Sequence, residues 1–215
     1  IDTGVVPTDA TRVVCEFRFT AIPTERVRNG WASGGGVGAF WFGTDNDHAT
    51  FAASVSGNSV ASTTDVALDT GRHTFDISQS VLKFDGTGFA NPDSTFVSRE
   101  STGSMYLFAS RQGWSPAIGA YGSMAIFSCK IYIGDVLICD FVPAERDLDG
   151  AVGLYNALSG RFFENLGTGK FTGGEETGKV YGEGPLFPDL AVSKIPEQVV
   201  SSIGELLAGV EPAVT

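Results

Sequence analysis

The chain has 215 residues, a formal net charge of −11, only 18% charged residues, 28 Gly and 16 Phe. That length can bury one sizeable core, and abundant Gly with aromatics favours short strands and tight turns over long helices. The acidic balance, with Arg12, Arg18, Arg26, Arg28, Arg72, Arg99 and Arg111 scattered and not gathered in a stripe, argues against nucleic acid as a partner.

No run of about twenty apolar residues is present, so no membrane insertion is expected. The sequence opens at Ile1 without Met, which reads as a fragment or a processed product, and it shows no signal peptide and no Asn-x-Ser/Thr acceptor.

In chain order, Thr11 to Thr20 alternates strictly. Val13, Cys15, Phe17 and Phe19 share one face, and Arg12, Glu16 and Arg18 take much of the other, which predicts a half-buried antiparallel strand. A loop is expected through Pro23 and Gly30 and on through Ala32 to Gly38. Val37 to Gly43 carries Ala39 and Trp41 on one face and Phe40 and Phe42 on the other, the pattern of an inner strand. Thr50 to Val55 and Ser59 to Thr63 predict a hairpin about Gly57-Asn58. Arg72 to Ser78 and Ser80 to Asp85 predict another, closed by Gly86 to Gly88. A weak strand at Thr95 to Ser98 precedes the apolar Ser104 to Ala109, and a loop runs from Ser110 to Gly119.

The longest signal is Phe127 to Pro143, two alternating runs folded about Gly134-Asp135, a pair suited to a two-residue hairpin turn. A regular two-residue turn sets Ile133 opposite Val136, Ile131 opposite Ile138, Cys129 opposite Asp140 and Lys130 opposite Cys139. The core face is then Phe127, Cys129, Ile131, Ile133, Val136, Ile138 and Val142, with Asp140 the single charge among them. Such a carboxylate needs a strand end or a hydrogen-bonding loop, as a structural group or as a ligand contact. Cys15, Cys129 and Cys139 lack the spacing of a zinc site or a redox pair and are expected free and partly buried, which suits assembly in a reducing cytoplasm.

Val152-Gly-Leu-Tyr-Asn156 and Gly160 to Gly174 follow. With the hairpin, with Met105 to Ser110 and with Ile1 to Gly4, these segments resemble the lectin-like β-sandwich modules of the concanavalin A/laminin-G type found in proteins of gut bacteria and their phages. The resemblance covers most of residues 1 to 174. It implies an all-β antiparallel jelly-roll sandwich over 1–174. An extended linker is expected over 175–192, and a helical tail over 193–215. In that tail Ser193 is the N-cap candidate and Val199, Val200, Ile203, Leu206 and Leu207 form a stripe. A helix that short is marginal alone and must dock, pair with copies of itself or connect elsewhere.

The same fold houses glucanases, whose Glu-x-Asp-x-x-Glu strand motif has its nearest match here in Glu145-Arg-Asp147-Leu-Asp149. That run lacks the last Glu and falls in an expected loop, so no catalysis is predicted. His48 and His73 have no nucleophile elbow beside them, and Gly34 to Gly38 lacks the Lys-Ser/Thr of a phosphate loop. Asp45 and Asp47, in Thr44-Asp-Asn-Asp-His48, offer oxygen ligands that suit calcium as well as an ordinary turn; no other cofactor is expected.

For glycan binding, flat aromatics and planar polar groups matter. Arg111, Gln112 and Trp114 form the preferred cluster, against the alternative of a Trp folded over the core. Trp31, in a loop, and Trp41, if its strand face is open, are further candidates. The resemblance therefore implies a non-catalytic binding or assembly module of a virion (tail fibre, baseplate or head decoration) or of a bacterial cell surface. Its expected partners are a cell-surface or mucin glycan and, through the tail, other virion or surface proteins or copies of itself. A purely structural decoration role and a divergent glycoside hydrolase are the alternatives.

Overall fold

A computed structural model describes residues 1–24, 27–32, 40–44, 50–54, 62–78, 80–88, 103–111, 118–119, 123–165, 167 and 169–180. For residues 28–32, 40, 54, 62–65, 110–111 and 118–119 it describes the backbone alone. The described part is all-β, with no helix among the described residues. The strands are β1 (Thr11–Phe19), β2 (Arg28–Ala32), β3 (Phe40–Thr44), β4 (Thr50–Ser54), β5 (Ser62–Ala67), β6 (His73–Ser78), β7 (Leu82–Phe84) and β8 (Thr87–Gly88). They continue with β9 (Ser110–Arg111), β10 (Ile118–Gly119), β11 (Met124–Ile133), β12 (Val136–Arg146), β13 (Val152–Asn156), β14 (Arg161–Phe163) and β15 (Gly178–Val180).

A nine-stranded sheet runs β14-β13-β12-β11-β1-β6-β7-β8, with β15 added beside β12. A four-stranded sheet runs β2-β3-β4-β5, and β9 pairs with β10. All pairings are antiparallel except β12 with β15. Both larger sheets feed one core: Phe42, Phe51 and Ala53 from the four-stranded sheet join Val13, Cys15, Phe17, Phe19, Phe75 and Ile77 from the nine-stranded one. Phe17 stacks on Phe75 at 5.5 Å within the nine-stranded sheet, and Phe19 stacks on Phe51 at 5.7 Å across the two sheets. Ile1, Met105 and Leu107 close one side of this core, tied by backbone bonds from Thr3 to Met105 and from Leu107 to Ile1, each 2.9 Å.

The alternating residues of β1 behave as their pattern predicts, with Val13, Cys15, Phe17 and Phe19 all buried. In the long hairpin the turn is also as predicted: Gly134 has φ of 58°, the conformation Gly supplies at the first central position of a two-residue turn. The register is not. Tyr132 pairs with Leu137 but Ile131 pairs with Cys139, so Ile138 is an extra residue in β12. This β-bulge reverses which side chains face inward. Lys130 thus faces Asp140, not Cys139, and Cys129 faces Phe141, not Asp140.

The expected core face is corrected accordingly: Cys139 and Phe141 are buried, whereas Val136 is 65% exposed and Asp140 points outward. A second bulge, where Glu16 pairs with Ser128 but Phe17 with Ile126, makes Phe127 the extra residue of β11 and puts Ile126 in the core in its place.

Three further expectations are revised. Residues 28–32, read as loop, form β2. The strand expected at Ser59 to Thr63 runs instead from Ser62 to Ala67. Gly178–Val180, assigned to a linker, pairs in parallel with Ala144–Arg146, so the ordered sheet extends past residue 174. The Gly57-Asn58 turn, the Thr95 to Ser98 strand and the C-terminal helix lie outside the described residues.

Candidate binding face

Because β1 buries its odd-numbered residues, its even-numbered side chains project from the other face of the nine-stranded sheet, where they meet those of β6 and β11. Arg12 Nε and Nη2 donate to Asp76 Oδ1 and Oδ2 at 2.7 and 2.8 Å, a two-pronged bond between neighbouring strands. That hydrogen bonding to Asp76 outweighs partial burial and raises the Arg12 pKa, so its charge is firmly held. The Arg12 guanidinium carbon lies 5.6 Å from the centre of the Tyr132 ring. One strand further, Lys130 Nζ donates to Asp140 Oδ2 at 2.7 Å, and the Asp140 backbone N–H donates to Asn156 Oδ1 at 3.1 Å. The face therefore presents an aromatic ring beside planar charged groups, all anchored on paired strands. Arg12 remains 46% exposed and Lys130 39%, so both heads reach solvent.

At one margin of this face Arg72 binds Glu16 and, at 2.6 Å, Glu176, while its guanidinium carbon stands 4.0 Å over the Phe127 ring. Phe127 is the bulged residue of β11, so the bulge supplies the ring that Arg72 covers. Glu176 lies just before β15; Arg72 thereby fastens that segment to β1 and β11.

His73 is enclosed near the other sheet. Its Nδ1 meets Asp85 Oδ2 at 2.7 Å and its Nε2 meets Asp69 Oδ1 at 2.8 Å, and the ring lies 4.7 Å from that of Phe51 and 4.8 Å from that of Phe84. Burial disfavours the charged ring, but the hydrogen bonds to Asp85 and Asp69 more than offset it, and the pKa is raised. The same bond to His73 lowers the Asp69 pKa. His73 is a satisfied structural group.

The acids of Glu145-Arg-Asp147-Leu-Asp149 are also placed. Glu145 and Arg146 end β12 and do not sit in a loop, since β12 continues beyond Pro143. Arg146 donates to Asp149 at 2.9 and 2.6 Å, takes Glu164 as a further partner and covers Phe162 at 5.1 Å. The bond from Arg146 brings the Asp149 carboxyl down to about 2. Lys179 of β15 stands 4.0 Å from Glu145 and 3.9 Å from Asp147.

The sequence candidates are distributed unevenly. Trp41 is buried at 2% exposure on the face of β3 opposite Phe42, outside the core shared by the two sheets, so its indole is covered and is not an open platform. Trp31 lies on β2 and not in a loop, and Arg111 lies on β9, whose Cα atoms come within 8 Å of β2. The backbone thus brings the strands that carry them together. Gln112, Trp114, Asp45 and Asp47 lie outside the described residues, and among the described residues no group of His, Cys, Asp or Glu could hold a metal ion.

The outward grouping of Arg12, Asp76, Tyr132, Lys130 and Asp140 was missed because its members come from four strands and lie far apart in the chain. The alternation of β1, β6 and β11 was the available signal: it sends Arg12, Asp76 and Tyr132 away from the core. Comparison with family models, with curated proteins and with solved structures returns no match to this chain.

Proposed function

We propose that this chain is a non-catalytic, lectin-like module, a jelly-roll β-sandwich of concanavalin A type, that attaches a virion or bacterial surface protein to a glycan-bearing surface. The observation that carries this reading is Tyr132 beside the Arg12–Asp76 pair on an outward sheet face. A sugar ring is bound by stacking its apolar side on an aromatic and by meeting its hydroxyls with planar donors and acceptors. Individual contacts of this type are weak, so attachment depends on many copies acting together.

The test is a glycan array probed with a multivalent form of the chain, alongside Tyr132→Ala and Arg12→Ala forms that keep the unfolding midpoint of the parent. Binding to a host or mucin glycan that drops at least tenfold in both variants is the expected result. No binding above background to any glycan ends the attachment reading. It leaves the structural-decoration alternative, which has an observation of its own: Arg12, Arg72 and Lys130 already hold carboxylates of the same molecule.

A further inference from the structure

The three cysteines, spaced far apart in the sequence, converge in the core on three adjacent strands: Cys15 on β1, Cys129 on β11 and Cys139 on β12. Cys15 and Cys129 are direct partners across the antiparallel β1–β11 ladder, and both are fully buried. Direct partners have Cα atoms about 4.5–5.5 Å apart, inside the range of about 4.4–6.8 Å that a disulfide spans. Cys139 faces Ile131 because of the bulge at Ile138, so it is diagonal to Cys129. Diagonal neighbours lie about 7–8 Å apart, and beyond about 7 Å a bridge requires the backbone to move.

We infer that Cys15 and Cys129 form a disulfide site, reduced in the structure described and closed by exchange with a small disulfide such as oxidised glutathione, with Cys139 left as a thiol. In the first step one thiolate attacks the glutathione disulfide, forming a mixed disulfide and releasing one glutathione thiolate. The second cysteine, as thiolate, then attacks the mixed disulfide at the protein sulfur, forming the Cys15–Cys129 bond and releasing a second glutathione. Two protein thiols lose two protons and two electrons, and one glutathione disulfide becomes two thiols.

Burial sets when this happens. Burial and the hydrogen bond to Cys129 push the Cys15 thiol well above its ordinary pKa, and burial takes Cys139 up to about 11, so the folded core resists attack. The bond therefore closes before β11 docks on β1, or through an opening of that ladder. Once closed, it ties off a loop on the order of 100 residues, the geometry in which a cross-link restricts the unfolded chain most.

The test refolds the full chain from denaturant with excess oxidised over reduced glutathione, in parallel with reductant alone. Non-reducing peptide mapping of the oxidised product is expected to give one cross-linked pair containing Cys15 and Cys129, with Cys139 alkylated once the chain is unfolded. Its Tm should exceed that of the reduced form by roughly 10 °C, and Cys139→Ser should leave the cross-link in place. Three alkylatable thiols, a persistent glutathione adduct, a bridge that includes Cys139, or a Tm below that of the reduced form would each overturn the inference. Mapping of the unsubstituted chain decides this even if Cys139→Ser fails to fold.

Discussion

In β1 the inward residues occupy every second position from Thr11 to Phe19 and all are buried, whereas in the adjoining β11–β12 hairpin the same alternation breaks at Phe127 and Ile138. Both regions are made of apolar and polar residues in turn, and both lie in one sheet. Alternation assigns faces relative to a neighbouring residue, so an assignment carries along a strand only until a residue is inserted. Here the inserted residues are themselves apolar, and each bulge passes unnoticed in the pattern. The physical outcome is an exchange of roles: Phe141 enters the core and Asp140 leaves it to pair with Lys130.

The largest test of this contrast compares truncations. Phe17→Ala in the regular strand and Phe141→Ala in the bulged one should each cost about 3–5 kcal/mol, since both rings are fully buried. Ile138→Ala, at a partly buried bulge position, should cost at most about 2 kcal/mol. Urea unfolding of the three variants orders them, and a larger loss at Ile138 than at Phe141 would restore the unbulged register.

An intermediate effect is expected on the regular side of the sheet, at His73 of β6. Its folded pKa lies above its unfolded value near 6.5, so the protonated ring stabilises the fold fully below that value. The contribution, on the order of 1 kcal/mol, fades as pH rises through the raised pKa. For Asp69 the sign is opposite: its depressed pKa adds stability above its unfolded value, and that is lost as pH falls. Thermal unfolding of His73→Gln against the parent from pH 5 to 9 should show a gap that narrows toward high pH. A gap that widens there contradicts the two-carboxylate arrangement.

The smallest effect separates the two registers most cleanly. With Asp140 outward and paired to a Lys130 that is 39% exposed, Asp140→Asn should cost less than about 1 kcal/mol. An inward carboxylate whose partner was removed would cost about 3–5 kcal/mol. Measured unfolding free energies distinguish these values readily.

The parts of the fold legible in the sequence are those where one pattern suffices. The inward residues of β1, the strand β6 and the Gly134 turn follow from alternation and turn chemistry. β2 was hidden because Arg28-Asn-Gly-Trp-Ala32 has little strand preference of its own and gains its pairing from Phe40–Gly43. β15 was hidden because Gly178-Lys-Val180 is short and is recruited by β12. The outward face was legible only strand by strand: Arg12 and Asp76 are separated in the chain by all four strands of the four-stranded sheet, and nothing local joins them. Trp residues attracted attention as flat platforms, yet Trp41 is buried on the face of β3 opposite Phe42, and it is the half-buried Tyr132 that stands on the outward face of the nine-stranded sheet.

The placement of β1 also governs how the chain reaches its folded state. This strand is made before every other described strand, yet it sits in the interior of the nine-stranded sheet between β6 and β11. One of its edges can be completed soon by β6, while the other waits for a strand made much later. Assembly is thus expected to be slow, on the scale of milliseconds to seconds typical of non-local β pairing. During that wait the row Val13, Cys15, Phe17 and Phe19 is exposed beside an open backbone edge, which makes β1 the point at which aggregation competes with folding.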